Sequence, residues 1–256
     1  MRQILRPWPT LLALLVLLGA WELYVDLGGG RGVLPPPHAV ASSMWTDRSL
    51  LWSNFRPTAE AMLLGILVAA VVGLALAISM HLLPWLRRAL YPLVLASQTV
   101  PIVLLAPPLV LWFGFGLKPE LVVIAVISFF SIVVTTLNAL AAVDPDLIKL
   151  SRSFDGSRLR IFRHVELPAA MPGVFTGAKI AVAVSGIGAV LAEQSSGTTK
   201  GLGYLFEISY SQLLIPRTWA IITVLSLFTI ALFIALSAAE RLTLPWAYQP
   251  RGEIPA

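Results

Sequence analysis

Six separate stretches of this chain, at about 8–25, 58–80, 91–113, 120–142, 169–192 and 219–239, stay apolar for the thickness of a bilayer. A helix rises 1.5 Å per residue, so about 20 residues cross a hydrocarbon core about 30 Å thick. One soluble core could not hide so much apolar surface: 57% of the residues are hydrophobic and only 12% charged, where soluble domains hold about a quarter charged. The bilayer itself is the solvent these stretches require. The expected fold is therefore all-α: a membrane protein with about six transmembrane helices, forming a single domain over 1–256. The third stretch is the least regular. Pro101, Pro107 and Pro108 interrupt it, and each proline removes a backbone donor and crowds the preceding turn. A kinked or broken helix there needs protein or water beside its freed carbonyls, which places it inside the bundle.

The first stretch follows Arg2 and Arg6 as a signal peptide would, but it ends in Trp21-Glu22-Leu23-Tyr24 without a small-x-small cleavage site, so it reads as an uncleaved helix. With the N-terminus inside, Arg2, Arg6, Arg87, Arg88, Lys149, Arg152, Arg158, Arg160, Arg163, Arg241 and Arg251 fall on the cytoplasmic side. Arg31, Arg48, Arg56, Lys118, Lys200 and Arg217 fall outside. The larger group marks the cytoplasm, so both termini are expected there. Lys179, within the fifth stretch, is placed to snorkel to the nearer interface. The net charge of +5 is then loop charge, and no nucleic-acid partner is implied. With no cysteine there is no disulfide or thiolate metal site, and no metal or cofactor is expected in this chain.

The segment 143–168 is long and densely charged for an inner loop. Leu147, Leu150, Phe154, Leu159, Phe162 and Val165 recur mostly at spacings of three and four, an amphipathic helical pattern. Asp155-Gly156 divides it as a turn. The expected element is a cytoplasmic helix-turn-helix, either lying on anionic lipid or docking a protein partner, and its architecture favours docking.

Elsewhere several polar groups stand at membrane depth. Glu193, with Gln194, closes the fifth stretch, and an ionisable group at that depth is a functional candidate; pairing or hydration at the outer interface is the alternative. Ser97, Gln98 and Thr99 precede Pro101, where they either line a water-filled path or bond to freed carbonyls. Thr135, Thr136 and Asn138 suit helix-to-helix stitching, and Gly173-Val-Phe-Thr-Gly177 allows a close helix approach. A stand-alone secondary transporter would call for paired mid-membrane ionisable groups and an inverted repeat, and neither is visible. An intramembrane serine protease built on Ser185 lacks a base, because His38, His81 and His164 fall outside the stretches.

The run Lys149-Leu-Ser-Arg-Ser-Phe-Asp155-Gly156-Ser157, followed by Val165-Glu-Leu167-Pro168-Ala-Ala-Met-Pro172, resembles the cytoplasmic coupling motif of ABC importer permeases. Its ending matches as Val-x-Leu-Pro. Its start departs, with Lys149-Leu150-Ser151 in place of Glu-Ala-Ala and Asp155 in place of glycine. Ser97-Gln-Thr-Val-Pro101, Trp112-Phe-Gly-Phe-Gly116, Glu193-Gln194 with Gly201-Leu-Gly203, and Glu240-Arg241 with Pro245-Trp246 extend the resemblance to the nitrate, sulfonate and taurine subgroup and its thiamine-precursor branch. The resemblance implies a permease subunit carrying a small polar or heterocyclic solute. It implies an ATP-binding cassette ATPase dimer that holds ATP and magnesium, an extracytoplasmic substrate-binding protein, and a second permease copy in the plasma membrane. ATPase coupling would fall on Leu150, Phe154, Asp155, Gly156, Leu159, Phe162, Val165, Leu167 and Pro168. The translocation path would involve Ser97, Gln98, Thr99, Pro101, Glu193 and Gln194. No G-x-x-x-x-G-K-[ST] phosphate loop occurs in the chain, and the chain itself is not expected to be an enzyme.

Overall fold

Lipid tails are as apolar as leucine, so membrane helices are held together by close packing and by hydrogen bonds between them. The small residues show where this happens. In a computed structural model, which describes residues 8–248 apart from Arg31 and Asp155, with the side chain of Thr10 also left undescribed, helix α6 (Leu117–Ala141) lies between α3 (Arg48–Leu82) and α9 (Leu167–Ser195). Gly65 of α3 leaves room for Ile124: a Cβ there would lie 2.6 Å from its Cγ2. Gly188 of α9 meets the same isoleucine from the other side, at 3.3 Å from its Cα. Gly173 and Gly177 receive Ala139 and Thr135, so the small-residue spacing read from sequence serves a contact within the subunit. Ser128 and Ser131 donate to the Ala181 and Gly177 carbonyls at 3.4 and 3.3 Å. Thr135 turns back to the Ser131 carbonyl of its own helix.

Every regular element among the described residues is helical. The others are α1 (Trp8–Asp26), α2 (Pro37–Thr46), α4 (Pro84–Ser97), α5 (Ile102–Phe113), α7 (Pro145–Ser153), α8 (Arg158–Ile161), α10 (Leu202–Ser211) and α11 (Ile215–Thr243). Four helical spans are long and apolar enough to cross a membrane: α3, α6, α11 and a continuous rod from Arg158 to Ser195; α4 and α5 make a fifth if that bent pair is one span. The stretch expected at 8–25 is the 19-residue α1, exposed along most of its length.

The expected break in the third stretch falls at Pro101 alone, and the expected start of the fifth span changes. The stretch 91–113 is two helices meeting at 104°, broken at Pro101, which caps α5, whereas α5 runs on through Pro107 and Pro108. The fifth span starts at Arg158 rather than near 169, because a π-helical turn over Phe162–Glu166 joins α8 to α9 without a gap. Lys179 does not end at an open interface: it pairs with Glu240 of α11 and lies 6.0 Å from the Phe233 ring. Arg2, Arg6, Arg31 and Arg251 of the charge count lie outside the described residues.

Candidate functional site

The charged loop begins with a cap. Asp144 accepts from the Asp146 N–H at 2.9 Å, and Pro145 occupies the first turn of α7, where a missing N–H costs nothing. Ser157 caps α8 in the same way, accepting from the Arg160 N–H at 3.4 Å. Between them Gly156 is forced by proximity: a Cβ would sit 2.6 Å from the Ser151 carbonyl oxygen and 3.0 Å from Ile161 Cγ1. Gly156→Ala is therefore expected to pry α7 from α8 at a cost of about 1–3 kcal/mol, read as a lower unfolding midpoint in detergent. Ser153→Ala, which removes only a local exposed bond to Leu150, serves as the control and stays within about 0.5 kcal/mol.

This packing divides the residues predicted to couple. Leu150, Phe154 and Leu159 are 56%, 77% and 66% exposed, with Leu147 beside them. Phe162 is not available to a partner: it is 6% exposed and packs with Leu140 and Ala170. Val165, Leu167 and Pro168 are half-buried where the rod begins. Asp155 lies outside the described residues.

Glu166, inside the predicted loop but assigned no role by the spacing, is fully buried. Its Oε1 accepts from Arg158 Nη1 at 2.6 Å and its Oε2 meets His81 Nε2 at 2.6 Å. His81 belongs to the last turn of α3 and lies against the Phe162 ring at 5.8 Å. The carboxylate thus ties the start of the rod to the end of α3. Only the Glu between Val165 and Leu167 hinted at it, and charge in a loop ordinarily means solvent.

At the opposite end of α9, Glu193 is 2% exposed. Its Oε1 accepts from Thr58 Oγ1 of α3 at 2.5 Å, and its Oε2 accepts from the Gly203 N–H at 2.5 Å. Thr58 in turn accepts from the Leu202 N–H at 2.8 Å, and Asn54 accepts from the Gly201 N–H at 3.0 Å. The orphan donors of the α10 N-terminus are satisfied by this set, as helix starts require. Gly201 has φ +131° and Gly203 leaves only 2.8 Å for a Cβ beside the Val190 backbone, so the Gly-Leu-Gly read from sequence is what lets α10 reach Glu193. Glu120, also buried, accepts from Ser196 Oγ at 2.8 Å. It lines a cavity of about 450 Å³ with Glu60, Thr198 and Lys200.

The structure does not bring the predicted path residues together. Gln98 lines a cavity of about 310 Å³ with Ser131, Thr135, Ile180 and Val184, roughly 14 Å along α9 from Glu193 at 1.5 Å per residue. Ser97 and Thr99 donate to the Val94 and Ala96 carbonyls at 2.7 Å each, which is the carbonyl-satisfying alternative. Gln194 is exposed, away from the partners of Glu193.

Residues 61–245 match the profile of the family described as binding-protein-dependent transport system inner membrane component. The riboflavin transport system permease protein RibX of Chloroflexus aurantiacus is 34% identical over 93% of this chain and 91% of its own. The formylaminopyrimidine transport permease protein ThiX of Halalkalibacterium halodurans is 32% identical over 93% and 95%. The taurine transport system permease protein TauC of Escherichia coli is 27% identical over 83% and 80%. Among solved structures, a chain of the inward-facing MetNI methionine ABC transporter superposes with a TM-score of 0.62 at 20% identity, over 78% of this chain and 99% of that one.

Proposed function

The chain belongs to the inner membrane components of binding-protein-dependent transport systems, and from that premise we propose that it passes a small nitrogen heterocycle, handed over by a binding protein, through a path shared with a second copy of itself. It is a multi-pass membrane protein and the permease subunit of an ABC importer. In this family ATP is hydrolysed on a separate subunit and a binding protein delivers the solute; we read nucleotide and magnesium as held on that ATPase. The heterocycle is favoured over taurine, sulfonate or nitrate because the riboflavin and formylaminopyrimidine relatives are 34% and 32% identical over 93% of this chain, while the taurine relative is 27% identical over 83% and a glycine betaine/proline betaine relative at 32% spans only 69% of this chain and 48% of its own. The Lys179–Glu240 pair is of the kind a stand-alone transporter would use, and family membership decides against that reading. We read the whole chain as one permease domain with six crossings, α1 included, and both termini in the cytoplasm, as the Lys/Arg bias supports.

The observation that carries the coupling role is the exposure of Leu150, Phe154 and Leu159 on a capped loop continuous with a membrane span. A few buried apolar anchors dominate most interfaces, and these three are free to insert into a groove on the ATPase, with Arg152, Arg160 and Arg163 around them to steer acidic rim residues. Phe154→Ala and Leu159→Ala are each expected to leave the fold intact and weaken ATPase binding by about 2 kcal/mol, near 30-fold in affinity. Co-purification and transport-coupled ATP hydrolysis in proteoliposomes measure this, and unchanged recovery of the complex in the double variant refutes the docking role. Thermal-shift screening of the cognate binding protein against flavins, pyrimidines, taurine and nitrate tests the solute class.

A further inference from the structure

The end of the molecule that carries α10 bears four of the eight tryptophans in one neighbourhood. Trp21 of α1 meets Trp219 of α11 at 5.5 Å. Trp45 and Trp52 sit a few residues to either side of the start of α3, each beneath a guanidinium, Arg48 at 4.9 Å and Arg56 at 5.2 Å from the ring. Tryptophan concentrates at the headgroup level of a bilayer, so these rings mark that level. From Arg48 an open groove of about 410 Å³ descends between α3 and α11, walled by Leu51, Trp52, Phe55, Val224 and Leu227. Phe55 and Phe228, edge to face at 4.9 Å, lie at its inner end. Along α3 it runs seven residues, roughly 10 Å at 1.5 Å per residue, and its α11 wall, Val224 and Leu227, lies inside the apolar stretch 219–239.

The charge at its mouth, Arg48, is uncompensated, and Arg56, just past Phe55, stands outside the lining. Among the described residues neither Arg48 nor Arg56 forms an ion pair with a carboxylate; Arg48 spends one donor on the Trp45 carbonyl at 3.0 Å. The nearest acid in sequence, Asp47, is taken by Arg217 through two bonds of 2.9 and 2.8 Å, and the hydrogen bond from Arg217 holds its carboxyl below the usual range. Glu60, one turn beyond Arg56, lines the cavity with Glu120 instead. An apolar slot with a cationic rim, at a height marked by tryptophan, is complementary to one kind of molecule abundant in the surrounding medium. We propose that this groove binds one anionic glycerophospholipid, an acyl chain between α3 and α11 and its phosphate at Arg48.

Native mass spectrometry of the assembled complex, delipidated and then titrated with phosphatidylglycerol or phosphatidylcholine of matched chains, tests it. The wild type is expected to retain one phosphatidylglycerol per permease chain, with a preference of about fivefold or more over phosphatidylcholine, since each basic residue near an anionic headgroup contributes roughly that factor. Arg48→Gln should lose the preference while the complex stays assembled, and Arg56→Gln, outside the groove, should keep it. Val224→Trp, which fills the slot, should lose the retained lipid. An unchanged preference in Arg48→Gln, or no retained lipid in the wild type, overturns the proposal. So does efficient cross-linking of Leu227→Cys to a second permease chain, which would give the groove to protein; the cysteine-free background makes that product unambiguous.

Discussion

Phe162→Ala is expected to lower the stability of the chain itself by about 3–5 kcal/mol, the range for removing a buried phenylalanine. The ring is enclosed by Leu140, Ala170 and the half-buried Ile78, Leu82 and Leu167, drawn from α3, α6 and α9. It also packs beside His81, so its loss opens a cavity where three helices meet. Phe154, eight residues earlier and 77% exposed, has no such enclosure. The two alanine variants should therefore separate cleanly. In detergent the unfolding midpoint falls for Phe162→Ala and holds for Phe154→Ala, while ATPase recovery fails for Phe154→Ala in protein that is still folded. Equal midpoints for both variants would contradict the burial on which this assignment rests.

Glu166→Ala should cost on the order of 3 kcal/mol, because it breaks a buried charge pair from the buried side. The carboxylate is 1% exposed, against 46% for Arg158 and 13% for His81. Arg158 can find water once abandoned, but His81 and the cavity left by the side chain cannot be repaired so easily. Beyond stability, the rod loses its tie to α3, so ATP hydrolysis should run with less dependence on the loaded binding protein. The measurement is the ratio of stimulated to basal ATPase rate in nanodiscs, beside the unfolding midpoint. A midpoint and a ratio both at wild-type values would show that the triad carries neither load.

Hydropathy made the long helices legible, because length and apolarity are written locally. The break at Pro101 was legible for the same reason: one residue that cannot donate, beside hydroxyls that cap what it frees. In the loop at 143–168 the spacing of leucines and phenylalanines signals helix, and α7 lies there, but the second piece is the start of the fifth span. Which side of it faces protein was not legible. Leu159 and Phe162 recur at helical spacing and look equivalent, yet one is 66% exposed and the other 6%. Periodicity reports that a face is apolar and is silent about what covers it. Glu166 was illegible for a different reason: its partner His81 is 85 residues away, and an acid in a basic loop looks solvated. Glu193 stood out as an acid at the end of a span, but the α10 donors that receive it depend on a turn through Gly201 that only the folded chain displays.

The rod from Arg158 to Ser195 is fixed to α3 twice, by Glu166 through His81 and by Glu193 through Thr58. Both attachments hang on one helix, whose residues advance by 100° each, so the two ends are held in phase. One residue inserted between them would swing one glutamate more than a quarter turn away from its receptor, and one deleted would do the same in the other sense. The π-helical turn at Phe162–Glu166 is itself an accommodated insertion of this kind. It lies on the docking side of the first attachment, where an extra residue re-aims the loop without disturbing the registration between the two glutamates. Variation in length along this lineage should therefore collect before Glu166 and after Glu193, and the interval between them should keep its count.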